Sequence, residues 1–326
     1  MSLLYPLKFT PIIKEKIWGG NQFYHILNKD VDPTLKNGES WEISDLEGDI
    51  SIINNGFLAE NSLSELIELY MGELVGEQPF LQYGLGFPLL IKFIDASENL
   101  SVQVHPDDQL ASTVYGLQGK TELWYVVHAE EGAGLYVGFN KSVKKEDFIT
   151  ALKQGTVDRL LTFYPVKKGD VFFIPAGTVH AIGKGVLLAE IQQTSDITFR
   201  VFDWNRKDEN GDSRELHIEE ALQAIHFEDT PDTYKIDYED KLNSSVSVIR
   251  SSYFNINILS LDQAIEKTYL PVDSFVIYIC VEGEVHFFNE NIHEVIYRGE
   301  TCLIPAILPE LTIVPNGKSK LLEIYL

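Results

Sequence analysis

The sequence predicts a mainly β protein made of two jelly-roll β-barrels, with a few helices packed on the N-terminal one. Three observations lead there. Short runs rich in β-branched, aromatic and leucine residues (PLLIKFIDA, LSVQVHP, ELWYVVHA, GLYVGF, DVFFIPA, VLLAEIQQ, ITFRVFDW) alternate with Gly, Pro, Asn or Asp, as in antiparallel barrels and jelly rolls. A second series follows an acidic segment: SVSVIRS, YFNINILSL, SFVIYICVEGEVHFF, TCLIPA, LTIVP and KLLEIYL. The two series also share a repeat, because GDVFFIP (169–175) and GETCLIP (299–305) each set a turn glycine, a strand and a terminal proline at the same separation.

Taken in order, three helices interrupt the strands of the first series. Ser62 and Glu65 form a capping box ahead of Leu66, Ile67, Tyr70 and Leu74. A second helix is expected over about 144–154, stopped by Gly155, and a third over about 218–225. The acidic, weakly periodic stretch 227–242 reads as a connector crossing the surface. The predicted units are therefore 1–242, carrying the helices, and 243–326, a degenerate second β unit.

Composition bounds the rest. At 326 residues and 44% hydrophobic content, the chain can fill two domains. No apolar run reaches the ~18 residues that span a bilayer, and MSLLYPLKFTPIIKEK lacks the order of a signal peptide, so a cytoplasmic protein is expected. Cys280 and Cys302, the only cysteines, lie in apolar strands and read as buried thiols without a disulfide. The net charge of −23 repels nucleic acid and anionic membranes. An anionic small molecule is admissible only where local basic residues reverse that field.

Ligand-type side chains come from three segments. Gln103 and His105 are two apart in a strand and share a face, and Pro106 ends the strand behind them. Glu122 opens the next strand, and His180 follows a proline–glycine turn. Two neutral imidazoles, a carboxylate and an amide, with no thiolate, suit a catalytic Zn²⁺ that keeps a position open. Gln103 either binds the ion or bonds a water on it. Each residue alone would be an ordinary hydrogen-bonded or ion-paired side chain. The spacing G-x5-P-x-G-x2-H, from Gly169 to His180, makes the set specific and matches the second sequence motif of the cupins. In the repeat, Glu310 falls where His180 stands, so one zinc per chain is expected.

Beyond the motif, the chain resembles the type I mannose-6-phosphate isomerases in their short bacterial form. The resemblance runs from KEKIWGG and GESWEISD through PLLIKFIDASENLSVQVHPDD, GKTELWYVV and IPAGTVHAIG to LLAEIQQTSDITFRVFDWNR and RELHIEEAL. It implies zinc ligands at Gln103, His105, Glu122 and His180, an active-site arginine at Arg200, lysines at Lys92 and Lys120, and an acidic residue at Glu190. The helical insertion of longer members has no room here. The implied activity interconverts mannose 6-phosphate and fructose 6-phosphate through a cis-enediolate, with zinc stabilising the developing charge and Arg200 assisting. The proton carrier stays open among solvent at the metal, Glu190 and Lys120.

For a phosphate, Lys92, Lys120, Arg200 and Arg206 are the cationic candidates. Arg206 is equally a solvated charge in the turn NRKDENGD. Trp18 and Trp41 either stack on a sugar face or pack in the core. Two other readings compete: a different metal cupin acting on a sugar phosphate, and a sugar-binding regulator without catalysis. The presence of Gln103, His105, Glu122, His180 and Arg200 together favours the isomerase.

Overall fold

The structure, a computed structural model, describes residues 4–207, 211–227, 233–289 and 292–326. Its first half is two antiparallel sheets face to face. The larger has seven strands in the order Ile12–Gly20, Asn37–Ile43, Leu89–Ala96, Val186–Gln193, Glu122–Ala129, Val171–Ile174 and Lys235–Ile236. The smaller runs Phe199–Phe202, Val102–Val104, His180–Ile182, Gly134–Phe139 and Leu161–Pro165. Between them lies an apolar core of Ile94, Trp124, Val126, Leu135, Val137 and Leu188. This is the mainly β, jelly-roll architecture expected from the strand spacing.

The central strands are buried on both faces, which explains their near-continuous apolar runs. Alternation still sorts the side chains. Ile91, Phe93, Leu123, Tyr125, Ala189 and Ile191 face outward into a second core, while Lys92, Glu122, Trp124 and Glu190 point between the sheets. The interior thus changes along one column from Val186 and Leu188 to Glu190, from apolar packing to polar side chains.

Helices cover the remaining faces. Leu63–Tyr70 starts with the expected box: Ser62 Oγ accepts from the Glu65 amide, and Glu65 accepts from the Ser62 amide. Lys145–Gln154 ends at Gly155, whose φ of 65° is the left-handed conformation that favours glycine at this position. With Ile218–Ala224, it packs on the outer side of the smaller sheet against Val102, Val104 and Ala181. The chain also contains Asp108–Tyr115, capped by Asp107, and the short helices Gln22–His25, Gly72–Val75 and Glu77–Tyr83, none anticipated above. The connector does more than cross the surface, since Lys235–Ile236 pairs with Val171 and Phe172 as an edge strand; residues 228–232 of it lie outside the described set.

The second half repeats the plan. Strands Asn255–Leu261, Ser319–Tyr325, Val276–Glu282 and Thr301–Ile304 pair in the same order as Leu89–Ala96, Val186–Gln193, Glu122–Ala129 and Val171–Ile174. Ile265–Thr268, Glu310–Pro315, Glu284–Asn289 and Ile292–Tyr297 form the opposing sheet. Register carries the repeat to single residues: Glu190 sits between Lys92 and Trp124, and Glu323 sits between Asn257 and Tyr278. The outer faces of the two large sheets share one core, with Phe93, Tyr125 and Ile191 against Ile258, Ile277 and Leu322. The start of the chain crosses to the second half, where Leu7 exchanges backbone hydrogen bonds with Leu303 at 2.8 and 2.9 Å. No helix among the described residues is long and apolar enough to cross a membrane.

Candidate metal centre

His105, Glu122 and His180 converge although they lie on three separate elements. Val102–Val104 leads into His105, Glu122 opens its strand, and His180 opens His180–Ile182. His180 pairs directly with Gln103 across the smaller sheet, and Glu122 pairs with Ile174 at the end of the strand that precedes the His180 turn. The turn is anchored by the Gly177 amide donating to the His105 carbonyl at 2.8 Å. Gly177 has φ +83°, and a Cβ there would strike the His226 ring at 2.6 Å, so the glycine of the motif answers a steric need.

Both imidazoles are oriented by backbone carbonyls. His105 Nδ1 lies 2.8 Å from the Ile197 oxygen, and His180 Nδ1 lies 2.9 Å from the Thr178 oxygen. A carbonyl only accepts, so each Nδ1 carries its hydrogen and each Nε2 presents a lone pair. Those lone pairs meet the carboxylate, with His105 Nε2 3.5 Å from Glu122 Oε2 and His180 Nε2 3.4 Å from Glu122 Oε1. Ligands bound at about 2.0–2.1 Å in a tetrahedral zinc site stand roughly 3.4 Å apart.

These four atoms, two imidazole nitrogens and two carboxylate oxygens, are buried and make no hydrogen bond. Leaving them so would cost about 1–3 kcal/mol each, more for a charged group. A divalent cation satisfies all of them together, so the residues present fit a metal. Burial, helped by the charge of Lys120, holds the His105 imidazole well below its usual range, and burial takes His180 down to about 3. Both are therefore neutral, as ligation requires. Burial and then the charge of Glu190 push the Glu122 carboxyl upward, and Lys120 and Lys92 oppose this only in part.

A cavity of about 400 Å³ opens beside the triad. Gln103, Lys92, Lys120, Glu190, Arg200 and Trp18 all line it, so the structure gathers these sequence-selected residues in one place. Lys120 joins cavity to triad, its Nζ 3.6 Å from Glu122 Oε2. Glu190 accepts from Trp124 Nε1 at 2.9 Å through Oε2, and its Oε1 faces Lys92 Nζ at 3.5 Å. Burial alone would lower the Lys92 ammonium, but Glu190 and Glu39 outweigh it and raise the group above its usual value. Trp41 lies under Lys92, 4.9 Å from ring centre to Nζ, and also lines the cavity.

Of the four cationic candidates for a phosphate, Arg206 does not line the cavity. It is held by Asp203 at 2.6 Å and lies 3.7 Å from Glu98. Arg214, which also binds Asp203, lines the wall in its place. Arg200 donates to neutral acceptors, Ser101 Oγ at 3.3 Å and the Glu215 carbonyl at 2.8 Å. Lys14, Lys16, Glu39 and Arg214 went unnoticed in the sequence. The first two were visible in principle, because KEKIW places Lys14, Lys16 and Trp18 on one strand face. Six lining residues are lysine or arginine and four are acidic, so the cavity wall is positive within a chain of net charge −23.

Among its described residues the second unit lacks such a set. Its Glu310, which the repeat spacing aligns with His180, is exposed, and the inward position falls to buried Leu311. Val276 begins the strand that corresponds to the one Glu122 begins. Among the described residues, His105, Glu122 and His180 form the one cluster of three or more such side chains close enough to hold a metal.

Comparison with known proteins bears on the family and the fold. Residues 6–134 match the family model described as phosphomannose isomerase type I, catalytic domain. The chain is 35% identical over 319 residues to mannose-6-phosphate isomerase ManA of Bacillus subtilis, covering 94% of this chain and 95% of that one. It is 42% identical over 220 residues to mannose-6-phosphate isomerase of Streptococcus mutans, covering 68% and 67%. The crystal structure of the mannose 6-phosphate isomerase from Bacillus subtilis superposes with a TM-score of 0.88 at 32% identity, over 99% of this chain and 100% of that one. A putative mannosephosphate isomerase from Archaeoglobus fulgidus, at 22% identity and a TM-score of 0.80 over 99% and 98% of the two chains, shares the fold.

Proposed function

Because the chain belongs to the type I phosphomannose isomerase family, we propose that it interconverts mannose 6-phosphate and fructose 6-phosphate with one Zn²⁺ held by His105, Glu122 and His180. Gln103 stands beside His180 as the fourth ligand or as a partner of its water. The observation that carries the metal is the set of four buried, unbonded ligand atoms. The nitrogen and oxygen donor set, without thiolate, favours zinc in a catalytic arrangement. When bound, the ion supplies Lewis acidity toward the oxygens on C1 and C2.

The chain's own residues then divide the work. Glu190 takes the hydrogen from C2 through Oε1 and returns it to C1, while Lys120 Nζ moves the proton between the two oxygens, so that aldose and ketose balance through the cis-enediolate. Lys92 Nζ faces the same Oε1 at 3.5 Å and holds the side chain at the cavity wall. Arg200, which among the described residues donates to a hydroxyl and a carbonyl rather than a carboxylate, stabilises the enediolate oxygens. The phosphate is received by the excess positive charge on the rest of the wall, where Arg214 shares Asp203 with Arg206; Lys92 and Trp18 complete the sugar wall. Residues 1–242 carry this chemistry, and 243–326 form a non-catalytic unit. A phosphorylated sugar and two buried free thiols suit the cytoplasm.

A panel of phosphosugars offered to the zinc-loaded protein tests the reading. Turnover of mannose 6-phosphate above the other aldose phosphates is expected, and loaded protein without that activity would refute it.

A further inference from the structure

Glu190 and Glu323 occupy the same register position in the two halves, and each receives a hydrogen bond from an aromatic residue on the same neighbouring strand. Trp124 Nε1 donates to Glu190 Oε2 at 2.9 Å, and the Tyr278 hydroxyl donates to Glu323 Oε1 at 3.0 Å. The opposite neighbour supplies nitrogen in both cases, Lys92 at 3.5 Å and Asn257 at 2.5 Å. The halves differ in what surrounds the carboxylate next. Glu323 is closed off by Lys267 at 2.8 Å and by the Tyr269 hydroxyl, and it is fully buried. Glu190 has no such plug and lines the cavity.

The terminal torsion of a glutamate is broad and nearly two-fold, so packing alone does not decide which oxygen faces a substrate. A single directional donor does. Trp124 is fully buried and fixed on its other side by an edge-on contact with His180, ring centres 5.3 Å apart at 79°. One rigid ring therefore touches a metal-facing imidazole and the carboxylate at once.

We propose that Trp124 is a positioning residue for the isomerisation: its N–H engages Glu190 Oε2, leaving Oε1 toward the cavity at a set distance from His180. The proposal rests on the reading of Glu190 as proton carrier. The second unit shows the same aromatic–carboxylate pair with its carboxylate sealed, and so supplies a natural reference for the device without chemistry.

Trp124→Phe keeps the apolar body and removes the donor. Trp124→Tyr restores a donor of the kind Tyr278 uses. With zinc content measured on each preparation, Trp124→Phe should lower kcat by roughly ten- to a hundredfold while KM and zinc content stay unchanged. Trp124→Tyr should recover a substantial part of kcat. Wild-type kcat in Trp124→Phe overturns the proposal. So does a Trp124→Tyr no better than Trp124→Phe, or a Trp124→Phe whose loss is matched by lost zinc, since either outcome reports packing alone. Wild-type protein inactive on mannose 6-phosphate would instead refute the proposed function, which separates the two failures.

Discussion

His180 donates from Nδ1 to the carbonyl of Thr178, 2.9 Å away and two residues earlier in the chain, so a tight turn sets the direction of the nitrogen that faces Glu122. Because the turn and not the metal orients the ring, His180→Ala should fold and fail to hold zinc. Loss of a ligand exceeds the 10- to 100-fold penalty typical of outer-shell changes, so a fall in zinc affinity of more than about a hundredfold is expected by competition with a chelating dye. Undiminished affinity would remove His180 from the site.

Arg200 contacts neither the triad nor a carboxylate among the described residues. Arg200→Ala should keep its zinc and lose about 10²–10³ in kcat/KM, the usual effect of removing a preorganised donor at developing charge. Full activity in that variant would take Arg200 out of the chemistry.

Asp95 is buried under Gly20 and accepts from the Gln22 amide at 2.7 Å. Burial pushes its carboxyl up to about 6, against 3.8 for the free group. The folded protein therefore retains a proton that the unfolded chain releases, and the associated stability, present below pH 3.8, is lost as pH rises through about 6. The loss amounts to about 3 kcal/mol. Asp95→Asn should be more stable than wild type at pH 7, with the difference shrinking toward pH 4. Denaturant titrations at both pH values measure it.

Phe275 in the second half packs on Phe87 in the first, ring centres 4.7 Å apart, inside the core that both halves share. All four tryptophans, Trp18, Trp41, Trp124 and Trp204, lie before residue 243. Phe275→Ala should cost about 3–5 kcal/mol and shift the unfolding midpoint reported by those tryptophans. A midpoint that does not move would mean that the halves unfold independently.

Much of this was legible in the sequence where the determinants are local. Ser62 and Glu65 announce their helix because a capping box is completed within four residues, and Gly169, Pro175, Gly177 and His180 announce the ligand turn for the same reason. Helix Asp108–Tyr115 escaped notice because only Ala111 of it is buried, which leaves almost no apolar period, although Asp107 and Gly116 mark both its ends. The cavity wall was partly hidden for another reason. Arg214 reaches it from the segment between Phe199–Phe202 and Ile218–Ala224, where no periodic pattern marks which side chain turns inward. Spacing also misplaced the counterpart of His180, since a one-residue difference in the second unit turns Glu310 outward and Leu311 inward.

The central claim is that His105, Glu122 and His180 hold the zinc on which isomerisation depends. The most direct test follows the interconversion of mannose 6-phosphate and fructose 6-phosphate as zinc is stripped by a chelator and then restored, with metal content measured at each stage. Activity should disappear with the metal and return at about one zinc per chain. An unchanged rate in protein shown to be free of metal would contradict the account.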